Sequence, residues 1–138
     1  MKKYTTLLFL IVLIGCKKNT NDQSQENNTT YYVKYVIDGM SSIQQTNSTG
    51  LKITLTDEKN TSVDYIRSNR GSNEFIIGPV KKGFKSSITG TNVCCPLCCY
   101  IRPNVQIYVS ESNGPFVLKK EDMSTQLRDN VQIDYTIL

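Results

Sequence analysis

The chain has 138 residues, of which 38% are hydrophobic, 9% aromatic and 20% charged, and it contains neither Trp nor His. Without histidine, Ser-His-Asp and Cys-His machinery is excluded and the commonest metal ligand is missing. Sixteen basic against twelve acidic residues leave a net charge of +4, too small and too scattered for a nucleic-acid footprint, so no nucleic-acid partner is expected.

The chain opens on a short basic stretch, Met1-Lys2-Lys3, and Leu7 to Ile14 is an uninterrupted apolar run of eight residues. A membrane-spanning helix needs about 20 such residues, so the run reads as the core of an export signal. It ends in Leu13-Ile14-Gly15-Cys16. This resembles the bacterial lipobox, where an apolar residue three positions before the cut and a small residue just before it precede a cysteine. The resemblance implies cleavage after Gly15 and a diacylglycerol on Cys16, with a further acyl chain such as palmitate on its amine. Several chains hold a protein to its membrane far more durably than one does, so Cys16 is an anchor and the membrane is a partner; no other cofactor is expected. The plain alternative is a secretory peptide, or the start of a core helix, with a chance cysteine.

Removing residues 1–15 from 138 leaves 123, one domain's worth. Lys17 to Thr30, KKNTNDQSQENNTT, has nothing to bury and reads as a flexible tether, giving the division 1–15 signal peptide, 16–30 lipidated cysteine and tether, 31–138 domain. Fourteen residues of coil span on the order of 20 Å root-mean-square. Lys17 differs from the aspartate associated with inner-membrane retention, and no compact acidic run follows it. The expected location is therefore the outer membrane, facing the periplasm.

Beyond the tether the pattern has period two. Val33, Tyr35 and Ile37 alternate with Tyr32, Lys34 and Val36 up to Asp38-Gly39, a turn dipeptide. Leu51, Ile53 and Leu55 define a second strand, joined by a turn at Asp57-Glu58-Lys59-Asn60 to a third carrying Val63 and Tyr65. Glu74 to Ile77 is a short strand that Gly78-Pro79 is expected to end, because proline cannot donate to a ladder. Further strands follow over Gly83 to Thr89, over Asn104 to Ser110, after the Asn113-Gly114 turn at Phe116 and Leu118, and over Val131 to Ile137. The one stretch with any helical period is Lys120 to Arg128. Seven or eight short strands at roughly ten-residue spacing predict an all-β fold, a single antiparallel β-sandwich of the immunoglobulin-like class.

This order of elements resembles small lipid-anchored β-sandwich domains of envelope lipoproteins and, more distantly, the MmpS-type transport-accessory domain. The residues concerned are Val33-Lys34-Tyr35-Val36-Ile37-Asp38-Gly39, Gly78-Pro79-Val80-Lys81-Lys82-Gly83-Phe84 and Val105-Gln106-Ile107-Tyr108-Val109. The resemblance implies a non-enzymatic accessory or scaffolding role beside an envelope transporter or surface complex, with an envelope protein as partner.

Cys94-Cys95-Pro96-Leu97-Cys98-Cys99 departs from that pattern, with four thiols in six residues. Four cysteines in an oxidising compartment make two disulfides by arithmetic. Pro96-Leu97 suits the centre of a type I turn, which puts Cys95 and Cys98 within bonding reach and favours Cys95–Cys98 nested inside Cys94–Cys99. Loops so short remove only about 2 kcal/mol of unfolded-state entropy, so such bonds stiffen a loop more than they hold a fold. Two rival readings remain open. The thiolates of Cys94, Cys95, Cys98 and Cys99 suit Cu(I) or zinc, with copper the better match to diverging neighbours. Alternatively Cys95-Pro96-Leu97-Cys98 is a redox pair, although no βαβ context accompanies it.

Three weaker constellations have plainer explanations. Lys81, Lys82 and Lys85 form a basic patch suited to phosphate or acidic glycans, or else protect an edge strand. Asp57-Glu58 and Glu121-Asp122 are adjacent carboxylates that read as solvated charge in a turn and a polar connection, not as a glycosidase pair. Tyrosines 31, 32, 35, 65, 100, 108 and 135 suggest a glycan or peptide platform, although strand preference explains them too. The expected function is a lipid-anchored, non-enzymatic envelope binding or accessory protein; the rival is a thiol-based metal or redox protein.

Overall fold

The computed structural model describes residues 29–41, 50–68, 71–93, 101–123, 126, 128 and 130–138. Within them lie eight strands: β1 (Tyr31–Ser41), β2 (Gly50–Thr56), β3 (Ser62–Ser68), β4 (Ser72–Val80), β5 (Lys85–Val93), β6 (Ile101–Glu111), β7 (Val117–Met123) and β8 (Asn130–Thr136). They form two antiparallel four-stranded sheets, ordered β4-β1-β6-β7 and β3-β2-β5-β8, and no helix occurs among the described residues. The fold is the all-β sandwich that the alternating runs predict.

Alternation explains why the sheets stack. In β2, Leu51, Ile53 and Leu55 are buried while the residues between them are partly exposed. Val33, Tyr35 and Ile37 of β1 and Val105, Ile107 and Val109 of β6 are buried from the other sheet. With Ile88, Val131 and Ile133 they make one continuous core, and every member lies between Val33 and Ile137. Among the described residues, all of this apolar packing lies within 31–138.

The sheets interlock at Gly90. On β5 it sits between Ile53 of β2 and Val131 of β8, and a methyl group added to it would collide with the Cδ1 end of Ile37, which reaches across from β1. Tyr35 bridges the sheets in a second way, its hydroxyl donating to the Thr56 carbonyl at 3.0 Å. Ser86, also buried, donates to the Tyr135 carbonyl at 2.7 Å. These bonds satisfy polar groups that burial would otherwise penalise.

Four local expectations are overturned, each because strand pairing prevails over local preference. Asp38-Gly39 does not turn the chain: β6 supplies partners through Ser41, with Asp38 opposite Asn104 and Gly39 opposite Pro103. Gly78-Pro79 does not end β4, which runs to Val80 with a cis bond at that step. Gly78-Pro79 falls in a register shift of the β1–β4 ladder, between Val33↔Ile77 and Tyr31↔Val80, and on an edge strand, where a missing N–H is tolerated. Gly78 has φ 134°, and a Cβ there would meet the Tyr32 ring at 2.8 Å, which explains the glycine. Lys120 to Met123 belong to β7 rather than a helix, and Glu121-Asp122 therefore sits in a strand. The expected Asp57 turn does form, its carboxylate accepting the Lys59 and Thr61 N–H groups at 3.0 and 2.8 Å. The Thr61 bond is the chief reason that carboxyl lies below the usual range.

All strand ends fall into two groups. Tyr31, the β2–β3, β4–β5 and β6–β7 turns, and the last strand residue, Thr136, share one end, where the chain enters the sandwich. Ser41, Gly50, Ser68, Ser72, Val93 and Ile101 lie at the other end, roughly 33 Å away along an eleven-residue strand.

Two measurements test this packing. Gly90→Ala is expected to lower unfolding stability by about 1–3 kcal/mol through overpacking, and adding Ile37→Val, which removes the colliding methyl, to recover part of the loss. Burial is the main cause that pushes the Tyr35 hydroxyl above the ordinary tyrosine value. A raised value in the folded state means that its contribution is intact below about pH 10 and is lost as pH rises beyond it. Urea titrations between pH 7 and 11.5 should show this alkaline loss in the parent and a smaller one in Tyr35→Phe, which itself costs about 1 kcal/mol at pH 7.

Candidate binding face on the β4-β1-β6-β7 sheet

The two sheets present different outer surfaces. On the β3-β2-β5-β8 sheet the outward residues of β2 are Lys52, Thr54 and Thr56, flanked by Asp64, Thr89, Gln132 and Asp134, with exposed Ile66 opposite Lys52 and exposed Val93 opposite Gly50. These polar groups are largely occupied with one another. Lys52 pairs with Asp64 at 2.8 Å and the Thr54 hydroxyl donates to the same carboxylate at 2.6 Å. Together, the lysine first, they hold the Asp64 carboxyl below the usual range. The centre of this face thus suits a strand surface solvated by water, with the apolar exposure confined to its Gly50 end.

The outer face of the β4-β1-β6-β7 sheet is built from four cross-strand rows. Tyr32 lies opposite Ser110, with Phe116 close by across the β6–β7 turn. The next row is Ile76, Lys34, Tyr108 and Leu118, then Glu74, Val36, Gln106 and Glu121, then Ser72, Asp38, Asn104 and Met123. Strand periodicity fixes this arrangement, since alternate residues of β1 must point away from the core that Val33, Tyr35 and Ile37 fill.

Its two halves differ in chemistry. Near the entry end, Tyr32, Tyr108 and Phe116 surround Lys34, whose ammonium lies 4.8 Å from the Tyr108 ring centre and 5.4 Å from that of Phe116. Attraction to the ring faces holds this cation, and neither ion pair among the described residues involves it. A shallow depression of about 260 Å³ lies beside it, bounded by Tyr32, Ile76, Ser110 and Phe116. Ile76 and Leu118 stand open to solvent, 60% and 40% exposed.

The other half is acidic and amide-lined. The Tyr108 hydroxyl donates to Gln106 at 2.8 Å, and Gln106 donates onward to Glu121 at 3.4 Å. Asn104 donates to Asp38 at 3.1 Å, while its carbonyl oxygen is buried without a partner. Among the described side chains of this face, one cation stands against three carboxylates, Asp38, Glu74 and Glu121, on a chain that is basic overall.

The residues singled out in the sequence distribute unevenly over this structure. Cys16, Cys94, Cys95, Cys98, Cys99 and Tyr100 lie outside the described residues. Val93 and Ile101, on either side of 94–100, belong to the end away from Tyr31. Lys81 and Lys82 lie at the β4–β5 turn, and Lys85 opens β5, an interior strand, so these lysines do not guard an edge. The tyrosine platform is dispersed: Tyr35 is in the core, Tyr31, Tyr65 and Tyr135 pack against it, and Tyr32 and Tyr108 remain on the outer face. Sequence reasoning missed Phe116, Ile76 and Lys34 as its companions. The signal was Lys34 and Tyr32 sharing parity on β1, but the partners arrive only through register.

Among the described residues no group of three or more carboxylate or thiol side chains is arranged to hold a metal ion. The chemistry of the face is that of contact: ring faces, amides, carboxylates and a shielded cation. No family model matches the chain, and neither the curated proteins nor the solved structures give a match to it.

Ile76 and Leu118 have no packing task that would explain their exposure. Ile76→Thr and Leu118→Thr are expected to change unfolding stability by no more than about 0.5 kcal/mol, whereas Ile107→Ala on the opposite side of the same sheet should cost about 2–5 kcal/mol. Urea midpoints of the three variants measure the contrast.

Proposed function

We propose that this protein is a lipid-anchored, non-enzymatic binding or accessory protein of the bacterial cell envelope. It is held at the outer membrane through Cys16 and docks an envelope protein, a transporter or surface complex, on the outer face of the β4-β1-β6-β7 sheet. The observation that carries the docking half is what is gathered on one face: exposed Ile76 and Leu118 stand beside three aromatic rings and an acidic half, whereas the other sheet carries exposed Ile66 and Val93 at its Gly50 end beside a paired polar centre without rings. An apolar patch rimmed by polar groups is characteristic of a partner surface. The anchoring half is supported by Leu13-Ile14-Gly15-Cys16 after an eight-residue apolar run. The chain enters β1 at the aromatic end of the face, so a tether reaching the membrane would leave the acidic half pointing away from it.

The rival reading, a thiolate copper or zinc site or a redox pair at Cys94, Cys95, Cys98 and Cys99, is supported by their spacing alone. Alkylation before and after reduction separates the two. Two disulfides lower the mass by about 4 Da and block alkylation, whereas four alkylatable thiols or a retained metal ion would favour the rival.

For the main reading, cells fed a tagged palmitate analogue should label the parent and not Cys16→Ala, which should leave the membrane fraction. A photoreactive residue at position 76 should give a discrete cross-linked species in the envelope, and one at position 54, in the polar centre of the other sheet, should give none. Unlabelled parent protein sinks the anchor; equal cross-linking at both positions sinks the docking face.

A further inference from the structure

A second site lies on a different part of the molecule, where the sheets fail to close. The edges of β7 and β8 leave between them a cleft of about 410 Å³ at the entry end, within the range of small-ligand sites. Its apolar walls include Val109 and Ile137, both buried, with Val117 and the partly buried Tyr31 and Tyr135.

The opening has a local cause. Val117 pairs with Val109 and Leu118 with Tyr108, but Ile107 pairs with Lys120, so Lys119 is an extra residue bulged out of β7. Bulges re-aim side chains, and they occur preferentially at edges and beside binding sites. Here the bulge brings Lys119 to the cleft, where Glu111 also lines the wall. Neither takes part in an ion pair among the described residues.

The two charges are set apart along the strands. Glu111 stands four residues beyond Ile107, the level of the bulge, which is roughly 13 Å of strand. An apolar cleft with a carboxylate towards one end and an ammonium towards the other matches a molecule carrying the opposite charges at its own ends. Both flanking strands are sheet edges, with backbone N–H and C=O groups free to meet an extended chain.

We propose that this cleft binds a short apolar peptide in extended conformation, its amino terminus towards Glu111 and its carboxylate on Lys119. A tripeptide spans about 10 Å, and the two side chains cover the remainder. This site is independent of the docking face and of the anchor.

The test uses the full chain in detergent micelles and the tripeptide Ala-Val-Leu, followed by NMR titration. Saturable shifts are expected at Val109, Val117, Tyr135 and Ile137. Acetylating and amidating the peptide should weaken binding at least tenfold. Lys119→Gln should abolish the advantage of the free acid over the amide, and Glu111→Gln that of the free amine over the acetylated form, while parent shifts elsewhere persist to show an intact fold. Absent or non-saturating shifts, shifts confined to other surfaces, or equal binding of free and capped peptide by the parent protein would overturn the proposal. As a control for general charge, Lys120→Gln should leave the free-acid preference in place, and its loss there would also count against the assignment.

Discussion

Ile37 standing over the bare Cα of Gly90 decides how closely the two sheets approach. Gly90 has Ile53 on one side and Val131 on the other, so its missing side chain is a notch in an otherwise continuous apolar row. The tip of Ile37 fills that notch from the opposite layer. A packed interior tolerates neither an added methyl nor an unfilled gap. The placement of β1 against β5 then determines which residues of β1 face out, and the Lys34 parity of the outer surface follows from it.

Much of this architecture could be read from the chain because a half-buried strand advertises itself by period two. Leu51, Ile53 and Leu55 show it plainly, and the acceptor carboxylate of Asp57 marks the turn that follows. The failures have a common physical origin. Asp38-Gly39 favours a turn by local preference, yet an eleven-residue partner in β6 gains more from pairing straight through it. Pro79 reads as a terminator only if its strand is interior, and the sheet order makes it an edge. Local sequence cannot report which strand sits at the rim, since that depends on partners tens of residues away.

The same limit governs the surface. Counting tyrosines overestimates the aromatic platform, because Tyr35 has the parity of the core and Tyr31, Tyr65 and Tyr135 lean on it. What assembles around Lys34 instead is Tyr108 from a distant strand and Phe116 from beyond a turn. The bulge at Lys119 is equally invisible in sequence, where Lys119-Lys120 looks like ordinary surface charge. Only the register of β7 against β6 shows that one of the pair is surplus to the ladder.

The order in which the strands are joined carries a kinetic consequence. Of the seven connections, only β2–β3 and β6–β7 link neighbours within a sheet; the other five pass from one sheet to the other. As the chain is made from its amino terminus, β1 appears first, yet both of its ladder partners come later, and the register from Tyr31 to Glu111 closes across 80 residues. Ladders so remote in sequence close slowly, in milliseconds to seconds rather than microseconds, because loop entropy is lost before contacts are gained. Throughout that interval the apolar stripe of Val33, Tyr35 and Ile37 is without cover. The nascent chain therefore passes through a period of heightened stickiness, in which a holding chaperone or a dilute compartment matters more to its yield than the final stability of the sandwich does.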